Sequence, residues 1–222
     1  MTLEIDQSFV RVDCQGVPAA FPNTVHEREE SLLCELRFID PAFGNLSGLA
    51  RDYIRAFPPL GKIDLPTDAD RLLKWLETHF ALSDRQRDYI SCLRARRAIQ
   101  TQRGKQLSAH RRFVSMTDSA VDPADRRARI HLNPIRIWNR LLTTEFLDAG
   151  ATPPCNVLFF ATPTDVSLAM FELESQVLLN ELADFQPCTI EFWAAHSFAD
   201  RSQLSRFCND LVAMGLAAVS TD

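Results

Sequence analysis

The chain has 222 residues, 46% hydrophobic and 24% charged, with a net charge of −5. This suits a globular protein of one or two domains with a sizeable core, and no apolar run approaches the ~18 residues a membrane helix needs. The six cysteines form no CxxC pair and sit at no zinc-finger spacing from a histidine, which predicts free thiols in a reducing cytoplasm.

The opening, MTLEIDQSFV, is acidic and lacks a basic-then-apolar leader, so no secretory signal is expected. Residues 1–30 are assigned as a variable N-terminal segment, and TLEIDQSFVRV within it has strand-like character. Residues 31–104 read as helical. Leu46, Leu49, Ala50, Tyr53, Ile54 and Phe57 recur at helical spacing as one apolar stripe, stopped by Pro58 and Pro59. The next helix, within DLPTDADRLLKWLETHF, is expected to be N-capped by Thr67, with Leu72, Leu73, Leu76 and Phe80 facing inward. A third begins at Ser83, turns Tyr89, Ile90, Leu93 and Ile99 inward and ends at Gly104. Residues 105–127 are polar, contain Asp122-Pro123 and predict a loop or linker.

The apolar period then changes. ARIHL and NPIRIW alternate, CNVLFFA is a short apolar run behind Pro153-Pro154, and SLAMFEL alternates again, so four strands are expected here. Helical spacing returns in ESQVLLNELADF (Val177, Leu178, Leu182, Phe185), in the short TIEFWAAH, and in DRSQLSRFCNDLVAMG, where Leu204, Phe207, Leu211 and Met214 face inward and Gly215 stops the helix. The expected fold class is α+β. A helical partner-binding domain with its linker (31–127) precedes a small sheet plus three helices of winged-helix type (128–222).

Charge is unevenly spread. Residues 83–129 carry twelve Lys/Arg against five acids, whereas from Asp165 onward nine acids face two arginines. A basic middle and an acidic C-terminal part suggest two surfaces with different partners.

Residues able to do chemistry are sparse. There is no GxGxxG, P-loop, HExxH or GxSxG pattern, and His26, His79, His110, His131 and His196 are far apart. His131 alternates with Ile130 and Leu132 and reads as a structural or surface residue. Glu172 and Glu174 flank a strand–helix corner, where acids favour the helix N-terminus. Trp75, Trp138 and Trp193 are expected in the core. Without a catalytic constellation, the sequence argues for a binding or accessory protein that is not an enzyme on its own.

The ordered set NLSGLARDYIRAFPP, DLPTDADRLLKWLETH, RQRDYISCLRARRAIQ, RIHLNPIRIW and TDVSLAMFELESQVLLNELAD…FADRSQLSRFCNDLVAMGLA resembles a family of accessory proteins, the partner subunits of iron-dependent oxidases that modify ribosomally made peptides. The resemblance runs from about Glu30 to Ala217, with its methanobactin-making branch the nearest in kind. It implies a cytoplasmic heterodimer with a TIM-barrel iron oxidase (MbnB-like) and a precursor peptide (MbnA-like) whose cysteines become oxazolone and thioamide groups, using oxygen. The implied cofactor is iron held by the partner and none in this chain, with no nucleic-acid or membrane partner. In the leader-recognition fold of such proteins, an extended leader adds to the last strand and packs on the third helix. Here that implies Ser167, Leu168, Ala169, Met170, Phe171, Glu172, Leu173 and Glu174, with Arg201, Ser205, Cys208 and Val212 on the helix. The alternatives are an accessory subunit acting on another precursor, a winged-helix DNA-binding protein or a stand-alone metalloenzyme. The balanced charge of residues 200–214 (Arg201 and Arg206 against Asp200 and Asp210) speaks against a DNA-recognition helix.

Overall fold

A computed structural model of the chain describes residues 24–58, 64–117, 121–146 and 152–221. The strand-like reading of residues 2–12 and the stop at Pro59 lie outside those residues.

Helix α1 (Val25–Leu36) starts on a capping box, with Thr24 Oγ1 accepting from the Glu27 amide and the Glu27 carboxylate accepting from the Thr24 amide. A 3₁₀ turn (Arg37–Ile39) and a one-turn helix α2 (Asp40–Phe43) lead to Gly44 at φ 65, a conformation that favours glycine. Helix α3 (Leu46–Ala56) is capped by Asn45, whose side chain lies so close over the first turn that a Cβ on Gly48 would come within 2.4 Å of it. Its expected stripe is buried at Leu46, Ala50, Tyr53 and Ile54, but Phe57 at the C-cap is 47% exposed.

Helix α4 (Leu65–His79) is capped by Asp64, not by the expected Thr67; the Asp64 carboxylate accepts from the Thr67 amide. Pro66 explains the earlier start, since proline fits the first turn, where amides lack helical partners. Leu72, Leu73 and Leu76 are fully buried, while Phe80 lies past the helix end and is 43% exposed. Helix α5 (Asp84–Lys105) begins at Ser83 with a Ser83–Gln86 capping box and ends one residue beyond Gly104.

The expected loop at 105–127 is in part a helix, α6 (Leu107–Thr117). It buries only His110 and Phe113. Two anchors one turn apart are too weak a stripe to stand out among polar neighbours.

The second half supplies β1 (Arg129–Leu132), β2 (Arg136–Leu141), β3 (Cys155–Ala161), β4 (Val166–Met170), then α7 (Leu173–Phe185), α8 (Ile190–His196), α9 (Arg201–Ala213) and β5 (Ala217–Ser220). Strands β2, β3 and β4 form an antiparallel sheet in that order. Strands β1 and β5 form a separate antiparallel pair, with Arg129 opposite Ser220 and Leu132 opposite Ala217. Strand β5 has no local signal in the sequence: four residues starting with two alanines carry no period of their own, and the pairing is long-range. Gly215, at φ 74, ends α9 as expected. The fold class is therefore mixed α+β, and no described helix is long and apolar enough to cross a membrane.

The sheet lies between two hydrophobic cores. Val157, Phe159 and Ala161 of β3, with Val166 and Leu168 of β4, join the core built by α1, α3, α4 and α5. The alternate residues Leu158 and Phe160, with Ala169 and Phe171, join the core built by α7, α8, α9 and β5. The core of the helical half thus crosses the sequence boundary drawn at 127/128. Buried polar groups anchor the sheet. The Asp88 carboxylate on α5 accepts from the Leu142 and Thr143 amides and the Thr143 hydroxyl at the end of β2. The Asn133 amide side chain donates to the Ala161 carbonyl at 2.7 Å and accepts from the Ile135 amide at 3.0 Å.

In the helical half, Arg28 donates through Nε and Nη2 to the Asp68 carboxylate (2.7 and 2.8 Å) and through Nη1 to the Phe57 carbonyl, and the Tyr53 hydroxyl also donates to Asp68 (2.8 Å). Burial works to raise the Asp68 pKa, but the hydrogen bonds from Arg28 and Tyr53 and the nearby positive charge outweigh it and hold the carboxyl below its ordinary value. Asp68→Ala, which strands a buried guanidinium, is expected to destabilise the chain by about 3–5 kcal/mol in urea unfolding, and Arg28→Met with Asp68→Leu by much less. Because the folded pKa of Asp68 is depressed, its contribution is complete above the unfolded carboxylate value of ~3.9 and is lost as pH falls through the lower folded value. The stability gap between the wild type and Asp68→Asn is expected to close only in that acidic window.

Candidate functional site

Strand β4 is an outer strand of its sheet, and no strand among the described residues pairs with its far side. The direction of its free groups follows from the hydrogen bonds around it. Ala161 donates its amide to the Ile135 carbonyl, toward β2, and Thr162 donates to the Asp165 carbonyl, toward β4. Backbone groups alternate sides along a strand, so Phe160 and Leu158 face β4, where the register places Ser167 and Ala169 opposite them. Val166, Leu168 and Met170 therefore direct their N–H and C=O groups to the unpaired side. The Val166 amide agrees with this, since it is taken up by Asp165 Oδ1 at 2.8 Å. Leu168 and Met170 are left as a two-residue-pitch edge able to accept an extended chain.

The edge ends beside a groove of about 530 Å³ between the start of α7 and one side of α9. Its lining includes Glu172, Glu174 and Leu178, with Gln203, Arg206, Phe207 and Asp210 across from them. Phe171, the first residue after β4, joins strand to helix: its ring stands 6.5 Å from Phe207 and 6.1 Å from Trp138 on β2. Three carboxylates face one guanidinium in this groove, and none of the four groups is in an ion pair among the described residues.

The residues singled out from sequence divide accordingly. Ser167, Leu168, Ala169 and Met170 are on β4, and Phe171 and Glu172 follow it. Leu173, expected as the strand's last residue, opens α7 and is 77% exposed. Glu172 is the α7 N-cap residue, yet its side chain makes no cap hydrogen bond; it and Glu174 are exposed at the groove. On α9 the structure corrects the reading. Arg201 pairs with Glu191 at 2.9 Å and donates to the Ala124 carbonyl. Cys208 is fully buried, and its thiol is pushed up to about 12, chiefly by burial. Ser205 and Val212 are half-buried on the same side of the helix as Cys208. The groove side carries Gln203, Arg206, Phe207 and Asp210, about half a turn away at ~100° per residue. A buried stripe has two flanks, and only the packing of α9 against Phe171 decides which one faces β4. Trp193 is in the core as expected and Trp75 is half-buried, but Trp138 is 38% exposed.

Among the described residues no group of three His, Cys, Asp or Glu side chains is placed to hold a metal ion. Much of the basic block is engaged within the fold: Arg85 pairs with Glu145, Arg87 with Asp84, Arg94 with Glu77, Arg96 with Asp165, and Arg97 with Glu35 and Asp70. Comparison of the chain with protein-family models, with curated proteins and with solved structures gives no match in any of the three.

The placement of Cys208 is open to direct test. Burial also pushes the Cys92 thiol up to about 12. At pH 8, iodoacetamide is expected to leave Cys92 and Cys208 unmodified in the folded chain and to modify both after unfolding, as mapped by mass spectrometry. Labelling of Cys208 in the folded state would move it out of the core.

Proposed function

We propose that the chain is a non-catalytic accessory subunit that reads the leader of a ribosomally made precursor peptide for a partner oxidase. In this reading, β2–β3–β4 followed by α7–α9 is a winged-helix-like recognition unit. The leader enters as a further strand along β4 and lays its side chains into the groove against α9. The observation that carries the reading is the edge at Leu168 and Met170, which no strand among the described residues pairs with, ending beside an acidic groove. Strand addition supplies affinity through main-chain hydrogen bonds and register through side-chain pockets. Glu172, Glu174 and Asp210 favour a basic leader.

The resemblance in the helical segments extends the proposal to the methanobactin-making branch. The partner is then a TIM-barrel oxidase that holds the iron, and the reaction converts precursor cysteines to oxazolone and thioamide groups with oxygen. This chain's share is to hold the leader and complete the oxidase. The rival DNA-reading role finds no support on α9, whose groove side offers Arg206 alongside Asp210.

The test is co-expression with an oxidase and a short cysteine-containing precursor encoded beside the gene. A 1:1 iron-containing heterodimer that binds the precursor leader is expected; stoichiometric iron in the isolated chain, or the absence of a complex, contradicts the proposal. Met170→Pro removes an amide that faces away from β3, so it is expected to weaken leader binding at least tenfold beyond Met170→Ala while the β3–β4 pairing persists. Ala169→Pro, whose amide faces β3, is expected to lower stability instead. Glu172→Lys with Glu174→Lys is expected to slow association with a basic leader, most visibly at low salt, because exposed charges act chiefly on the on-rate.

A further inference from the structure

A second cavity, of about 490 Å³, lies in the helical half. It is built by the end of α3 and one flank of α4. On α4, Leu72, Leu73 and Leu76 go to the core, while Arg71, Lys74, Trp75 and Thr78, at i, i+3, i+4 and i+7, line the cavity. On α3, Tyr53, Phe57 and Pro58 form the opposite wall. The Tyr53 ring centroid is 5.3 Å from Phe57 and 5.9 Å from Trp75, so the three rings pack on one another as a continuous aromatic wall, in which Phe57 and Trp75 are the more exposed members.

The polar groups around it are either engaged or cationic. The Tyr53 hydroxyl is tied to Asp68, and Arg28 directs its guanidinium nitrogens to Asp68 and the Phe57 carbonyl, so neither solicits a ligand. Arg71 and Lys74 are exposed at the mouth and have no ion-pair partner among the described residues. His79, also lining the cavity, points Nδ1 at the Trp75 carbonyl at 3.0 Å. The nearby acids are turned elsewhere: Asp70 and Glu77 reach α5 at Arg97 and Arg94, and Asp52 pairs with Arg55. The α4 N-cap carboxylate of Asp64 accepts from the Thr67 amide, and the charge of Arg71 adds a minor part to holding Asp64 and Asp68 below their ordinary values.

We propose that this cavity binds a small aromatic carboxylate, with its ring against the wall formed by Phe57 and Trp75 over Tyr53 and its carboxylate at the mouth against Arg71 and Lys74. The volume falls within the range of small-molecule sites. Aromatic walls accept a flat ring in offset or edge contact at centroid distances of ~4.5–7 Å. Cages of this kind also take cations through their ring faces. Here two permanent positive charges at the mouth repel a cation and attract an anion, and that decides the sign of the ligand. Phe57, 47% exposed at the helix end, would be covered by the bound ring.

The proposal is tested on the full-length chain with 4-fluorophenylacetate and its cationic counterpart 4-fluorophenethylamine, each followed by ¹⁹F NMR. The acid is expected to bind saturably with a dissociation constant below about 1 mM, and the amine at least about tenfold more weakly. Arg71→Gln with Lys74→Gln is expected to weaken the acid at least about fivefold with at most a small fall in melting temperature, since both side chains are exposed, and to narrow the acid–amine difference. Trp75→Ala is expected to weaken acid and amine alike. Non-saturating titrations, equal binding of acid and amine, or an acid affinity indifferent to the double substitution would each overturn the assignment.

Discussion

From Val157 to Ala161, strand β3 has no face left for solvent. Its residues alternate between two hydrophobic cores, Val157, Phe159 and Ala161 toward the helical half and Leu158 and Phe160 toward α7–α9. A strand buried on both sides reads as a continuous apolar run instead of an alternation, which is what CNVLFFA is. Each buried phenylalanine contributes about 1.5–3 kcal/mol by leaving water. A one-residue slip would exchange the partners of every side chain, so register is strongly determined. Asn133 and Asp88 hold that register by bonding to the start and end of the sheet, where slippage would leave buried polar groups unpaired.

The same constraint narrows where recognition can occur. With both faces of β3 and β4 buried, what those strands can offer a partner is backbone at an edge and side chains at a corner. At β4 the N–H and C=O groups of Leu168 and Met170, unpaired with any strand among the described residues, end next to Phe171, whose ring leads to Phe207 on α9. The acidic residues stand at this corner because an emerging helix N-terminus tolerates carboxylates, and because Glu172 makes no cap bond its charge stays available to a ligand. Strand, corner and helix flank thus form one surface that matches an extended, basic, partly apolar segment. The cavity by α4 follows a different logic, in which a helix ended by Pro58 leaves an aromatic residue outside the core.

Much of this was legible in the residues. Ser83 as a cap, Gly215 as a stop, the Leu72–Leu73–Leu76 and Leu204–Phe207–Leu211 stripes and the order of strands before three helices all follow from local chemistry, and all are present. What was not legible depended on distant contacts. Helix α6 rests on two anchors, and β5 is created by pairing with β1 across most of the second half. The side of α9 that faces the groove is set by its packing against Phe171, which helical spacing alone does not show, and Cys208 belongs to the core. Trp138, expected in the core because it stands beside a strand, is partly exposed on β2, the other outer strand of the sheet.

The central claim is that β4 presents a paired side to β3 and an open side to a peptide. Amide hydrogen exchange resolved by residue in the free chain tests it most directly. The account predicts slow exchange at Ser167 and Ala169, which donate to β3, and fast exchange at Leu168 and Met170, with the fast pair becoming protected when a peptide strand is added. Uniform protection across Ser167–Met170 in the free chain would contradict it, because the far side of β4 would then already be hydrogen-bonded.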